Sequence, residues 1–170
     1  MAFELMNFNS SLIQKQAVNE IVKCNDYTAH FGLTLTQPQA IELVETRSFS
    51  LKETGRIEFG GGVIDKIIKA FCDSSYITME NYTETLHELI EMFYYYKNET
   101  LDLMSDDVLI EFMNTAFNGV CQGSLDLLSG RELATMARNL RFGHQPDYAE
   151  DDVLDEDEIE DEDEDGYAEH

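Results

Sequence analysis

Three consecutive glycines, Gly60-Gly61-Gly62, stand directly before Val63, Ile64, Ile67, Ile68 and Phe71, an apolar set with helical spacing. A helix start offers free N–H groups and the positive end of a dipole, which is the chemistry that cradles a phosphate. Arg56 just before the glycines, and Lys66 and Lys69 within the helix, would add positive charge. The spelling is neither G-x-x-x-x-G-K-[ST] nor G-x-G-x-x-G, so both nucleotide fingerprints are missing. A tight turn that needs glycine conformations before a core helix accounts for the same residues. Arg56, Gly60, Gly61 and Gly62, with the polar groups of Asp26 and His30 nearby, define one alternative: a small enzyme or ligand-binding protein with a polar pocket.

Glu84-Thr85-Leu86-His87 has the E-x-x-H spacing of carboxylate-bridged di-iron bundles, with Glu91 one turn further on. Such sites need two of these motifs facing inward. Here there is one, and Glu84 and Glu91 point away from the helix's apolar stripe, with His87 on its flank. A solvated face is the expectation. Cys24, Cys72 and Cys121 are an odd number, far apart and without a C-x-x-C pair, so reduced, buried, packing cysteines are expected rather than a disulfide, a nucleophile or a metal set. Asp161 to Gly166 spells the first half of a calcium loop, but the bidentate glutamate of its twelfth position has no counterpart. No metal site and no cofactor is expected.

Tyr94-Tyr95-Tyr96 cannot all face one core, because successive helical residues are about 100° apart. Tyr96 belongs with the apolar stripe, Tyr94 lies at its edge and Tyr95 points outward. Tyrosine is enriched where partners bind tightly, so Tyr94, Tyr95 and Lys97 are the candidate interaction residues.

Helices must position these groups. Ser11-Leu12-Ile13-Gln14 has capping-box spacing, with Ile13, Ala17, Ile21 and Cys24 following on one face and Asn25 as a left-handed stop. Thr36-Gln37-Pro38-Gln39 is a second capping box, ahead of Ala40, Ile41 and Val44. The longest helix is predicted over Thr78 to Lys97, with Met79, Tyr82, Leu86, Leu89, Ile90, Phe93 and Tyr96 as its stripe. Ser105 reads as the N-cap of another, with Asp106 and Asp107 at its positive end and Leu109, Met113, Ala116, Phe117 and Val120 inward. Ser129 to Glu132 reads as a third capping box, ahead of Leu133, Met136, Ala137 and Leu140. Alternation at Phe31 to Thr36 and at Arg56 to Phe59 allows a small two-stranded β ribbon, a marginal unit by itself. The expected fold is mainly α, a compact bundle of about five or six helices.

The chain has 170 residues, with 11 Lys+Arg against 35 Asp+Glu, for a formal net charge of −24. The charge is unevenly spread. Residues 147–170 carry 15 acids and no Lys or Arg. Dense like charge with little apolar surface cannot offset its ordering entropy, so the expected organisation is a helical domain over 1–146 and a disordered acidic tail over 147–170. Net charge argues against nucleic acid and against anionic membrane surfaces. No stretch approaches the ~18–20 apolar residues of a spanning helix. Met1 to Ser10 lacks the pattern of a signal peptide, so a cytoplasmic location is expected.

The segments Asn25-Asp26-Tyr27-Thr28, Phe31 to Leu35, Gly55-Arg56-Ile57-Glu58-Phe59-Gly60 and Lys97-Asn98-Glu99-Thr100 carry a resemblance. Over about residues 8 to 143 the chain resembles a family of small uncharacterised bacterial proteins of unknown function. The resemblance implies a bacterial cytoplasmic setting and assigns no catalytic or binding residue. The leading expectation is a non-enzymatic protein-interaction or regulatory module, whose partner is another protein with a basic surface.

Overall fold

The fold is legible first at its helix starts. Thr36 Oγ1 accepts from the Gln39 N–H at 3.2 Å while Gln39 Oε1 accepts from the Thr36 N–H at 2.9 Å, a complete capping box opening α3 (Gln37–Thr54). Ser105 caps α6 (Asp106–Asn118) through the Val108 N–H. The computed structural model describes residues 2–143, with side chains from residue 12 onward. The expected disordered tail, 147–170, lies outside the described residues.

The other elements are α1 (Ala2–Lys23), a short α2 (Asn25–Thr28) that tightens into a 3₁₀ turn at Ala29–Phe31, α4 (Gly62–Phe71), α5 (Tyr82–Glu99), α7 (Leu125–Leu127), a π turn at Leu128–Leu133 and α8 (Ala134–Arg141). The last three form one continuous rod, so six helices and one short turn make up the mainly α fold. No helix among the described residues is long and apolar enough to cross a membrane.

α5 is the hub, in contact with α3, α4, α6, α7 and α8. Its stripe of Tyr82, Leu86, Leu89, Ile90, Phe93 and Tyr96 is buried, as the spacing predicts. The stripe of α4, Val63, Ile64, Ile67, Ile68 and Phe71, is buried throughout. Phe71 and Phe117 meet edge to face at 5.6 Å between ring centres, joining α4 to α6. Cys24, Cys72 and Cys121 are free and buried.

Several local expectations need correction. There is no β ribbon, and no strand among the described residues. The alternation of 31–36 does bury Leu33 and Leu35, but their backbone is held by one side chain. Asn25 donates to the Leu35 carbonyl at 2.9 Å and accepts from the Leu35 N–H at 2.8 Å, doing with an amide what a neighbouring strand would do. Asn25 therefore does not end α1 in a left-handed conformation; that conformation falls on Gly32, where φ is +78°. Ser11 is not an N-cap, because α1 already runs from Ala2. Ser129 lies inside the last rod, which Ser124 caps through the Leu127 N–H. Ile41, Met79 and Val120 are exposed, and on α3 Leu43 takes the inward place expected of Ile41. α5 starts at Tyr82, leaving Met79 outside it, and α6 ends before Val120.

Candidate functional site

The loop joining α3 to α4 meets buried polar groups of α3 and α5 at the start of α4. Its alternation is real, but it runs against the usual sense in which apolar side chains turn inward. Arg56 and Glu58 turn inward while Ile57 and Phe59 are 80% and 68% exposed. Glu58 Oε1 accepts three hydrogen bonds: from the Tyr94 hydroxyl at 2.7 Å, the Val63 N–H at 3.2 Å and Arg47 Nη1 at 3.3 Å. Arg47 is buried on the inner face of α3, with its Nε left without a partner. Burial and the neighbouring Glu58 carboxylate push the Tyr94 phenol well above its ordinary value, so Tyr94 is a neutral donor.

The glycines fit around this carboxylate and a second one. Gly62 has φ +47°, and a Cβ there would lie 2.4 Å from Glu58 Oε1 and 3.0 Å from Arg47 Nη1. Gly60 has φ +61°, and its Cβ would lie 2.8 Å from Glu20 Oε1. Glu20 Oε1 itself accepts from the Gly61 N–H at 2.7 Å. The N-terminus of α4 is thus served by two carboxylates of this same chain, each favourable at the positive helix end.

That arrangement decides what the residues of the polar-pocket alternative do. Gly60, Gly61 and Gly62 converge with Glu20 and Glu58, so an incoming phosphate would have to displace an anion that is already hydrogen-bonded. Arg56 is spent on Asp102 at 2.6 Å, Lys66 on Asp107 at 2.9 Å and Lys69 on Asp65 at 3.4 Å. Asp26 and His30 are exposed on α2 and the turn that follows it. Asp26 borders a shallow hollow of about 400 Å³ with Glu20, Cys24, Asp65 and Lys69.

Within that hollow the Cys24 thiol donates to Asp65 Oδ1 at 3.0 Å. Burial first, then the hydrogen bond and charge of Asp65, push its pKa from 9.0 to about 12. A thiol held that high carries almost no thiolate and is a poor nucleophile. Iodoacetamide at mildly alkaline pH is expected to spare Cys24 in the folded chain and to label it after denaturation, read by mass spectrometry. The folded chain holds this proton more tightly than the unfolded one. The stability it contributes is present below pH 9 and is lost as pH rises toward about 12.

The three interaction candidates separate. Tyr95 is exposed, as its angular position predicts. Tyr94 is not at an edge but buried, because Glu58 gives its hydroxyl an inward partner. Lys97 is also buried: its ammonium donates to the Met104 carbonyl and pairs with Asp106 at 2.9 Å, stapling α5 to the start of α6. Neither Tyr94 nor Lys97 is a surface contact. On the E-x-x-H stretch, Glu84 and Glu91 are exposed, and His87 Nδ1 shares a hydrogen bond of 2.7 Å with Thr46 Oγ1 of α3. Among the described residues no three His, Cys, Asp or Glu side chains gather as a metal site.

Sequence reading missed Arg47, Glu58 and Glu20. One signal was available: the inner stripe of α3 is Ala40, Leu43, Val44, Arg47 and Leu51, so a charged residue stands where the spacing calls for an apolar one. A guanidinium at such a position needs an anionic partner.

No curated protein and no solved structure gives a significant match to the chain. Residues 20–146, which hold all of these network residues, match the model of a family of unknown function, DUF6323, and the chain belongs to that family.

Proposed function

We propose that this protein is a non-enzymatic interaction module that regulates another protein, in the cytoplasm of a bacterium, and that its partner presents a basic surface. The observation that carries this reading is the reversed loop. Ile57 and Phe59 are held out in water by a scaffold whose polar side chains turn inward. Leaving such side chains exposed forgoes about 1.5–3 kcal/mol each. The ion pair between Arg56 and Asp102 ties this loop to the one between α5 and α6, where Leu101 and Leu103 are also exposed. Leu101 and Asp102 both adopt left-handed conformations, with φ of +56° and +61°. Non-glycine residues reach that region at a cost, and it recurs at functional sites.

The result is an apolar display fixed by polar bonds behind it, which suits a docking surface better than a catalytic cleft. Net charge of −24 favours a basic partner over nucleic acid. The acidic tail would speed encounter with such a partner more than fix its geometry.

Affinity purification of the full chain from its own host, beside the Ile57→Ser/Phe59→Ser variant, tests this. One protein is expected to co-purify with the natural chain and to be lost from the variant, while circular dichroism shows the variant folded. The same set of proteins on both would overturn the reading.

A further inference from the structure

We propose that the partner docks in the groove between α3 and α5, and that the segment it inserts is basic and amphipathic, with Lys or Arg beside an apolar or aromatic side chain. This rests on the interaction reading and adds a site and a ligand chemistry to it.

The two helices run in the same direction. Thr46 faces His87, and two turns later Ser50, Glu53 and Thr54 line one groove with Tyr94, Tyr95 and Asn98. Both helices therefore end beside the loops that display Ile57 and Leu101. The groove has a volume of about 360 Å³. Phe49 and Tyr95 stand on its walls, 65% and 57% exposed, and the buried Tyr94 closes it from below. Tyr95 is braced edge to face against Tyr96 at 4.9 Å, and the Tyr96 hydroxyl is anchored on the Ser129 carbonyl at 2.7 Å. On the other flank of Tyr95 lies a second hollow, of about 300 Å³, bordered by Glu88, Glu91, Met92 and Asp126.

Charge selects the occupant. The charged residues lining these two hollows are Glu53, Glu88, Glu91 and Asp126, and no Lys or Arg lines either. None of the four has an ion-pair partner among the described residues. Other surface acids such as Glu42, Glu45, Glu80 and Glu111 are also unpaired among the described residues; what distinguishes these four is that they border the exposed Tyr95 ring. The outer face of α5 repeats the pattern, with Glu84, Glu88 and Glu91 one turn apart leading to Tyr95. A rigid aromatic anchor ringed by unanswered carboxylates fits a cationic segment that brings its own apolar side chain. A second copy of this chain would bring the same negative charge, so self-association is disfavoured.

The test uses the full chain and a labelled synthetic amphipathic helix of Lys and Leu, read by fluorescence anisotropy. Phe49→Ala/Tyr95→Ala leaves the charge of the groove and of the tail unchanged, so any loss belongs to the groove. It is expected to weaken binding at least about tenfold, the effect of losing a hot-spot residue. Glu53→Lys/Glu91→Lys is expected to weaken the Lys peptide by a similar factor and to favour a Glu and Leu peptide instead. Both pairs are at the surface, and circular dichroism checks their fold. A loss of less than about threefold in the aromatic variant would overturn the groove and leave the peptide bound by the tail. The natural partner separates the two levels of the proposal. If it is lost from Ile57→Ser/Phe59→Ser but kept by Phe49→Ala/Tyr95→Ala, the groove fails and the interaction module stands. If nothing co-purifies with the natural chain, the module itself fails.

Discussion

Replacing Glu58 with alanine is expected to destabilise the fold by about 3 kcal/mol, measured as a shift of the urea midpoint with an unchanged slope. Removing one member of a buried ion pair leaves the other charge uncompensated, at a typical cost of about 3–5 kcal/mol. The lower end applies here because the Glu58 side chain keeps 21% of its exposure, whereas Arg47 keeps 4%. Three donors lose their acceptor together: Arg47 Nη1, the Tyr94 hydroxyl and the Val63 N–H. Arg47 already carries one buried nitrogen without a partner. Glu58→Gln keeps an acceptor oxygen for Tyr94 and Val63 but removes the charge, so it is expected to fall between the natural chain and Glu58→Ala. If Glu58→Ala unfolds at the natural midpoint, the network contributes nothing to holding the loop. The rigid display of Ile57 and Phe59 would then lose its physical basis.

The sequence disclosed those parts of the fold that depend on near neighbours. Helical periodicity identifies the buried faces of α4 and α5, because a residue's position on a helix is fixed by its spacing alone. Capping serines and threonines mark the starts of α3 and α6 for the same local reason. The loop chemistry was illegible because it joins distant positions. Glu20, Arg47, Glu58 and Tyr94 come from three helices and one loop, and only tertiary packing brings them together. The alternation at 56–59 reads equally as a strand with Ile57 and Phe59 inward. Its reversal is decided by Arg47, a charge already committed to the interior on α3. Similarly, Lys97 reads as a surface cation until the turn after α5 folds Asp106 and the Met104 carbonyl back over it. Tyr95 was legible because helical spacing of about 100° per residue alone turns it away from the stripe that holds Tyr96.

Replacing Phe93 with alanine is expected to cost about 3–5 kcal/mol. Phe93 is only 1% exposed and belongs to the buried stripe of the helix that contacts α3, α4, α6, α7 and α8. Its ring meets Tyr94 edge to face at 5.0 Å and 90°, an arrangement that adds about 0.5–1.5 kcal/mol beyond area burial. Deleting the ring therefore removes transfer free energy, leaves a cavity that tightly packed neighbours can only partly fill, and loosens the residue whose hydroxyl holds Glu58. Leu86→Ala, at the other end of the same stripe and remote from Tyr94, is expected to cost about 2–5 kcal/mol through the cavity alone. Glu84→Ala, on the exposed face, should stay within about 0.5 kcal/mol. Because Phe93 acts partly through Tyr94 and Glu58, Phe93→Ala and Glu58→Ala should combine to less than the sum of their separate effects, while Leu86→Ala and Glu58→Ala should add. Strict additivity of the Phe93 and Glu58 variants in a denaturant titration would show that the core and the loop network are energetically separate. The orientation of the loop would then be set by Arg47 and the helix start of α4 without help from the aromatic core.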